Sequence, residues 1–125
     1  ITKSTAKGVI GLTNLGVLTQ GAMHAIKLFE EAGYEVEGPH AGISSAMLAC
    51  QKAKPDLVIL DTELCDGNTY ELAQKLIDDH VPVILHSERA DRDALAARFP
   101  QAVALAKPCP PADLLETVTR VLAHA

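Results

Sequence analysis

Tryptophan is absent, and two phenylalanines and two tyrosines bring the aromatics to only 3% of the 125 residues. A core must therefore be aliphatic, and neither a base-stacking platform nor an aromatic cage is expected. Basic residues are outnumbered, eleven against sixteen acids, which leaves a net charge of −5 and no basic stripe of the kind a nucleic-acid binder carries. No apolar run approaches the ~18–20 residues of a membrane span. The first eight residues, Ile1 to Gly8, hold no apolar signal region, so a cytoplasmic protein is expected. The missing initiator methionine is expected of a trimmed chain or a piece of a longer protein. Cys50, Cys65 and Cys109 are odd in number, widely spaced and without C-x-x-C, which argues against a zinc or disulfide framework and predicts free thiols. Acids are also missing from one place in particular: none occurs before Glu30.

What is present is a regular alternation of short apolar runs with amphipathic stretches, without repeats, low-complexity tracts or an internal linker. Val9–Leu12, Tyr34–Glu37, Leu57–Leu60, Val81–Leu85 and Ala102–Ala106 read as strands. Helical spacing begins near Val17, with Ala22, Ala25, Ile26 and Phe29 on one stripe, and Gly33 stops it. Ser44 or Ser45 is expected to cap a second helix and Asn68 to open a third. A fourth is expected over about 89–99, and a fifth after Pro110-Pro111, where proline suits the first turn. Strands apolar on both faces, each followed by a helix, predict one α/β domain: a parallel five-stranded sheet covered on both sides, with its core over about residues 8–123.

In such folds chemistry sits beyond the carboxyl ends of the strands. The residues found there are Thr13 and Asn14, Gly38, Asp61, Ser87 and Lys107. A carboxylate, a hydroxyl and an ammonium on one sheet edge suit phosphoryl transfer onto the carboxylate. Asp61 is the nucleophile in this reading, Ser87 a donor to a phosphoryl oxygen, and Lys107 the positive partner of the accumulating charge.

Over residues 8–123 the chain resembles the receiver domains of two-component response regulators. Pro55-Asp56-Leu57-Val58-Ile59-Leu60-Asp61, followed by Leu64 and Gly67, is similar to the strand and loop that present the family's phosphoacceptor aspartate. Val81 to Ser87 is similar to the strand bearing its Ser or Thr, and Ala106-Lys107-Pro108 matches its Lys-Pro. Glu31 to Val36 with Gly38-Pro39 resembles a subclass of bacterial receivers. The resemblance implies a flavodoxin-like doubly wound (βα)5 sandwich with strand order 2-1-3-4-5. It further implies a histidine kinase or phosphotransfer protein as phosphoryl donor, a downstream effector protein, no nucleic acid or membrane partner, a monomer or weak homodimer, and no enzymatic activity beyond phosphotransfer to itself and its reversal by hydrolysis.

The departures from that pattern are specific. Receivers carry an acidic pair just after the first strand that holds Mg²⁺ together with the phosphoacceptor. Here Thr13 and Asn14 fill those positions if the strand ends at Leu12, and Leu15 and Gly16 fill them under helix-based counting. Asp61, the main-chain carbonyl of Glu63 and waters remain, with Asn14 as a neutral oxygen donor, so Mg²⁺ is expected to bind weakly or not at all. Glu88 follows Ser87 where a small residue is usual, Ala104 stands at the switch-aromatic position, and Cys109 replaces the aromatic that commonly follows Lys-Pro. Asp66 is expected to be a solvated loop residue, and His86 a residue of the sheet layer rather than a phosphohistidine.

Two further functions stay open on these residues. One is a degenerate receiver acting as a protein-interaction module without phosphorylation, favoured by the empty acidic positions, Glu88 and Ala104. The other is a flavodoxin-like cofactor or nucleotide domain, supported only by Gly8, Gly11 and Gly16, whose spacing is not G-x-G-x-x-G.

Overall fold

β-Branched and leucine side chains fill the short runs between polar stretches, and these runs form the strands of a parallel sheet. The computed structural model describes residues 8–13, 20–40, 42–61, 63–64, 67–87, 92–106 and 110–123. In chain order the elements are β1 (Gly8–Thr13), α1 (Gln20–Glu31), β2 (Tyr34–His40), α2 (Ile43–Lys52), β3 (Leu57–Asp61), β4 (Glu63–Leu64), β5 (Gly67–Asn68), α3 (Tyr70–Asp78), β6 (Val83–Ser87), α4 (Arg92–Arg98), β7 (Val103–Ala106) and α5 (Pro111–Ala123). The main sheet runs β2-β1-β3-β6-β7 and every pairing in it is parallel. Setting aside the small antiparallel β4–β5 pair, this is the expected order 2-1-3-4-5.

Alternation along the strands sorts the core into two layers. Ile10, Leu12, Leu57, Ile59 and Ile84 pack with Ala25 and Phe29 of α1 and with Leu114 and Val118 of α5. Val58, Leu60, Val83 and Leu85 face the other way, onto Ala46 of α2, Leu72, Ala73 and Leu76 of α3 and Leu95 of α4. All five residues of β3 and all five of β6 are buried, as strands covered on both faces must be. Gly11 belongs to this packing: a Cβ there would lie 3.3 Å from Val58 Cγ2. At the other end of the sheet the Asp56 carboxylate accepts the Val9 N–H at 2.7 Å, and the Asp56 N–H donates to the Val9 carbonyl at 2.8 Å. These two bonds fix the register of β1 on β3.

Helix ends follow the local chemistry, with differences from expectation. Gly33, at φ 101°, ends α1 in the left-handed conformation that glycine adopts without penalty. Pro110 supplies the carbonyl that accepts the Leu114 N–H at 3.1 Å, and Pro111 is the first residue of α5, as expected. α2 begins one residue before the serines expected to cap it: Gly42 is its N-cap and makes no side-chain capping bond. The reason is Ile43, which joins the core cluster when it is brought into the helix. α3 begins at Tyr70, after Thr69 and not at Asn68. β1 runs one residue past the expected Leu12, to Thr13, and β6 extends through His86 to Ser87.

Candidate functional site

Parallel pairing brings the carboxyl ends of four strands together: Thr13 ends β1, Asp61 ends β3, Ser87 ends β6 and Ala106 ends β7. Asp61 lies beside His86 across the β3–β6 pairing, and Ser87 beside Ala106 across β6–β7. Asp61 and Ser87, singled out as strand-end residues, thus sit on adjacent central strands within one residue of the same level. Lys107 follows directly on Ala106, but it lies outside the described residues, as do Asn14, Leu15, Gly16, Asp66, Glu88 and Cys109. The Glu63 backbone is in β4, opposite Asn68.

Asp61 is 3% exposed and Ser87 fully buried. The backbone of Asp61 is held from both sides by threonine hydroxyls. Its N–H donates to Thr13 Oγ1 at 2.8 Å, and Thr13 Oγ1 in turn donates to the Ile59 carbonyl at 3.2 Å. Its carbonyl accepts a bond from Thr69 Oγ1 at 2.8 Å. Both threonines are buried, at 1% and 0% exposure, so each bond replaces hydration that neither partner can recover. The peptide groups on either side of Asp61 are fixed, which aims its carboxylate from the end of the strand.

Thr13 therefore has a different role from the one its sequence position suggests. Its hydroxyl ties β1 to β3, accepting one bond and donating another, and is not offered to the space above the sheet. Thr69 was not among the expected site residues. The signal was a hydroxyl immediately before a helix, but Asn68 beside it has the same capping preference, and sequence alone does not choose between them. In the fold the Thr69 carbonyl accepts the first α3 bond, from the Ala73 N–H at 2.8 Å, while its side chain turns back to Asp61. His86 is 5% exposed within β6, a residue of the sheet layer as expected.

The donor set bears on magnesium. Among the described residues no three His, Cys, Asp or Glu side chains come together. Asp61 brings a carboxylate to this edge, and the Thr13 and Thr69 hydroxyls beside it are already committed to backbone bonds. Gly8 and Gly11 lie inside β1 and not in a loop, so they form no phosphate cradle. Cys50, on α2, is free, and burial together with the nearby Glu37 carboxylate raises its thiol above the ordinary value. A cavity of about 710 Å³ lined by Tyr34, Lys54, Asp56 and His80 opens at the amino ends of the strands, the end of the sheet away from Asp61. No helix among the described residues is long and apolar enough to cross a membrane.

No family model and no curated protein sequence matches the chain. Its fold, in contrast, is matched by solved structures over nearly its whole length. The signal receiver domain of a signal transduction histidine kinase from Syntrophus aciditrophicus superposes with a TM-score of 0.78 at 27% identity, covering 94% of this chain and 92% of that one. The receiver domain of the PhyR response regulator from Erythrobacter litoralis gives 0.78 at 21% identity, over 97% and 94% of the two chains. A two-component response regulator of the LuxR family from Aurantimonas gives 0.77 at 21% identity, over 95% and 87%. With the parallel order β2-β1-β3-β6-β7 and an aspartate ending the central strand, the chain has the fold of the receiver domains of response regulators.

Proposed function

We propose that the chain accepts a phosphoryl group on Asp61 from a phosphohistidine of a histidine kinase or phosphotransfer protein. A carboxylate oxygen of Asp61 attacks phosphorus, the phosphorus–nitrogen bond of the donor breaks, and the departing imidazole takes up a proton. Ser87 donates to a phosphoryl oxygen and Lys107 balances the charge on the others. The observation that carries this reading is the placement of Asp61: at the carboxyl end of the central strand, next to the end of β6, with its N–H and carbonyl both held by buried threonines. Such fixation supports nucleophilic attack because the reacting oxygen is positioned before the donor arrives.

Incubation with acetyl phosphate, followed by intact-mass measurement, tests it. An adduct of about 80 Da that disappears in Asp61→Asn is the expected result. No adduct at millimolar Mg²⁺ sinks the reading.

A second reading has its own observation. Ala104, half-buried on β7, stands where receivers carry the aromatic that couples hydroxyl movement to the output face. Under that reading the domain is a phosphorylation-independent interaction module. Binding of a partner would then be unchanged by Asp61→Asn, whereas a phosphorylation-dependent effector loses its response.

A further inference from the structure

The aromatic ring absent from β7 has a counterpart on the neighbouring helices. Tyr70 opens α3, and its ring centroid lies 5.9 Å from that of Phe99 at a 56° tilt. The Arg98 guanidinium sits 4.7 Å from the Tyr70 centroid and 5.5 Å from that of Phe99. Phe99 is 3% exposed, and Tyr70 and Ala104 both pack against its cluster, which also contains Leu95 of α4 and Leu85 of β6. On its other side Tyr70 is bonded in sequence to Thr69, whose hydroxyl holds the Asp61 carbonyl.

We propose that Thr69 and Tyr70 link the state of the Asp61 carboxylate to α4, through the first turn of α3 and not through β7. The physical reason is that neither end of the link is free to yield. Reorienting the Asp61 peptide must either break a buried hydrogen bond or carry Thr69 with it. Thr69 also accepts the first helical bond of α3, so its displacement moves the turn that begins with Tyr70. Tyr70 is wedged against Phe99 and beneath Arg98, at the carboxyl end of α4, and close-packed side chains pass a shift on instead of absorbing it. The signalling meaning of this link rests on Asp61 being the phosphoacceptor; the link itself does not.

Amide hydrogen exchange of the segment 92–99 provides the test, read as the change that Asp61→Asn produces in each of several backgrounds. In the otherwise unaltered protein and in Tyr70→Phe, which keeps the ring, Asp61→Asn is expected to shift exchange of this segment about threefold or more. In Tyr70→Ala, and in Thr69→Val, which removes the donor, the shift should fall below about 1.5-fold. Thr69→Ser should retain it. An unchanged shift in Tyr70→Ala, or no shift at all in the unaltered protein, overturns the proposal. Acetyl phosphate treatment with intact-mass measurement runs alongside. Absence of an adduct there refutes the phosphoacceptor reading, while the Asp61→Asn comparison still decides the link.

Discussion

At the scale of single residues, Asp61 is placed less by its own side chain than by two others. Thr13 and Thr69 each satisfy one backbone group of a residue that is almost fully buried. Replacing either by valine keeps shape and volume but leaves a buried N–H or carbonyl without its partner, a loss of about 1–3 kcal/mol in unfolding free energy. Urea denaturation should show that loss for Thr13→Val and for Thr69→Val, and a much smaller one for the serine variants. Equal stability of Thr13→Val and Thr13→Ser would count against the clamp. Asp61 and Ser87 were legible because an acid or a hydroxyl closing an apolar run marks a strand end. The task of Thr13 was not, because a threonine at a strand end has the same appearance whether it faces a ligand or a neighbouring backbone. Thr69 was hidden by Asn68, an equally good helix opener.

At the scale of elements, α3 joins the site to the rest of the fold, and its far end is as tightly specified as its start. His80 adopts φ 64°, a left-handed conformation in a residue other than glycine. Its N–H donates to the Ile77 carbonyl at 3.0 Å, and the Val81 N–H donates to the Leu76 carbonyl at 2.9 Å. These are the two bonds of a Schellman motif, and Val81 and Leu76 add its apolar contact within the same core cluster. A side chain in that conformation costs roughly 1 kcal/mol that glycine does not incur, partly offset by the greater freedom of glycine in the unfolded chain. His80→Gly is therefore expected to raise stability by up to about 1 kcal/mol in chemical denaturation, with the fold unchanged. Destabilisation by the same variant would mean that the imidazole contributes contacts outweighing the backbone strain. Nothing in the sequence Asp79-His80 advertises the left-handed residue that ends α3. The β4–β5 pair was equally invisible, because two-residue strands carry no periodicity. α1 and α5, with their apolar stripes and terminal Gly33 and Pro111, were plain.

At the scale of the whole molecule, alternation of apolar strands and amphipathic helices specified a parallel, doubly covered sheet, but periodicity contains no strand order. The order was supplied by resemblance and is the one the fold adopts. The chain is acidic overall, at −5, yet its acids are absent from the first 29 residues, and among the described residues no three His, Cys, Asp or Glu side chains gather to hold a metal. A strongly hydrated dication gives up water reluctantly, and neutral oxygens repay little of that loss. Calorimetric titration of the unaltered protein is expected to show no saturable Mg²⁺ binding up to about 10 mM, well short of a site with dedicated carboxylates. Adding an acid should help only where it does not break the clamp. At position 13 an aspartate could still accept the Asp61 N–H, but it has no proton for the Ile59 carbonyl that Thr13 now serves. Thr13→Asp should therefore lose stability without gaining affinity, whereas Asn14→Asp, directly after the strand, should gain affinity for Mg²⁺. Tight binding by the unaltered chain would instead show that another acid, Asp66 or Glu88, supplies the missing charge, and the expectation of weak magnesium binding would fall.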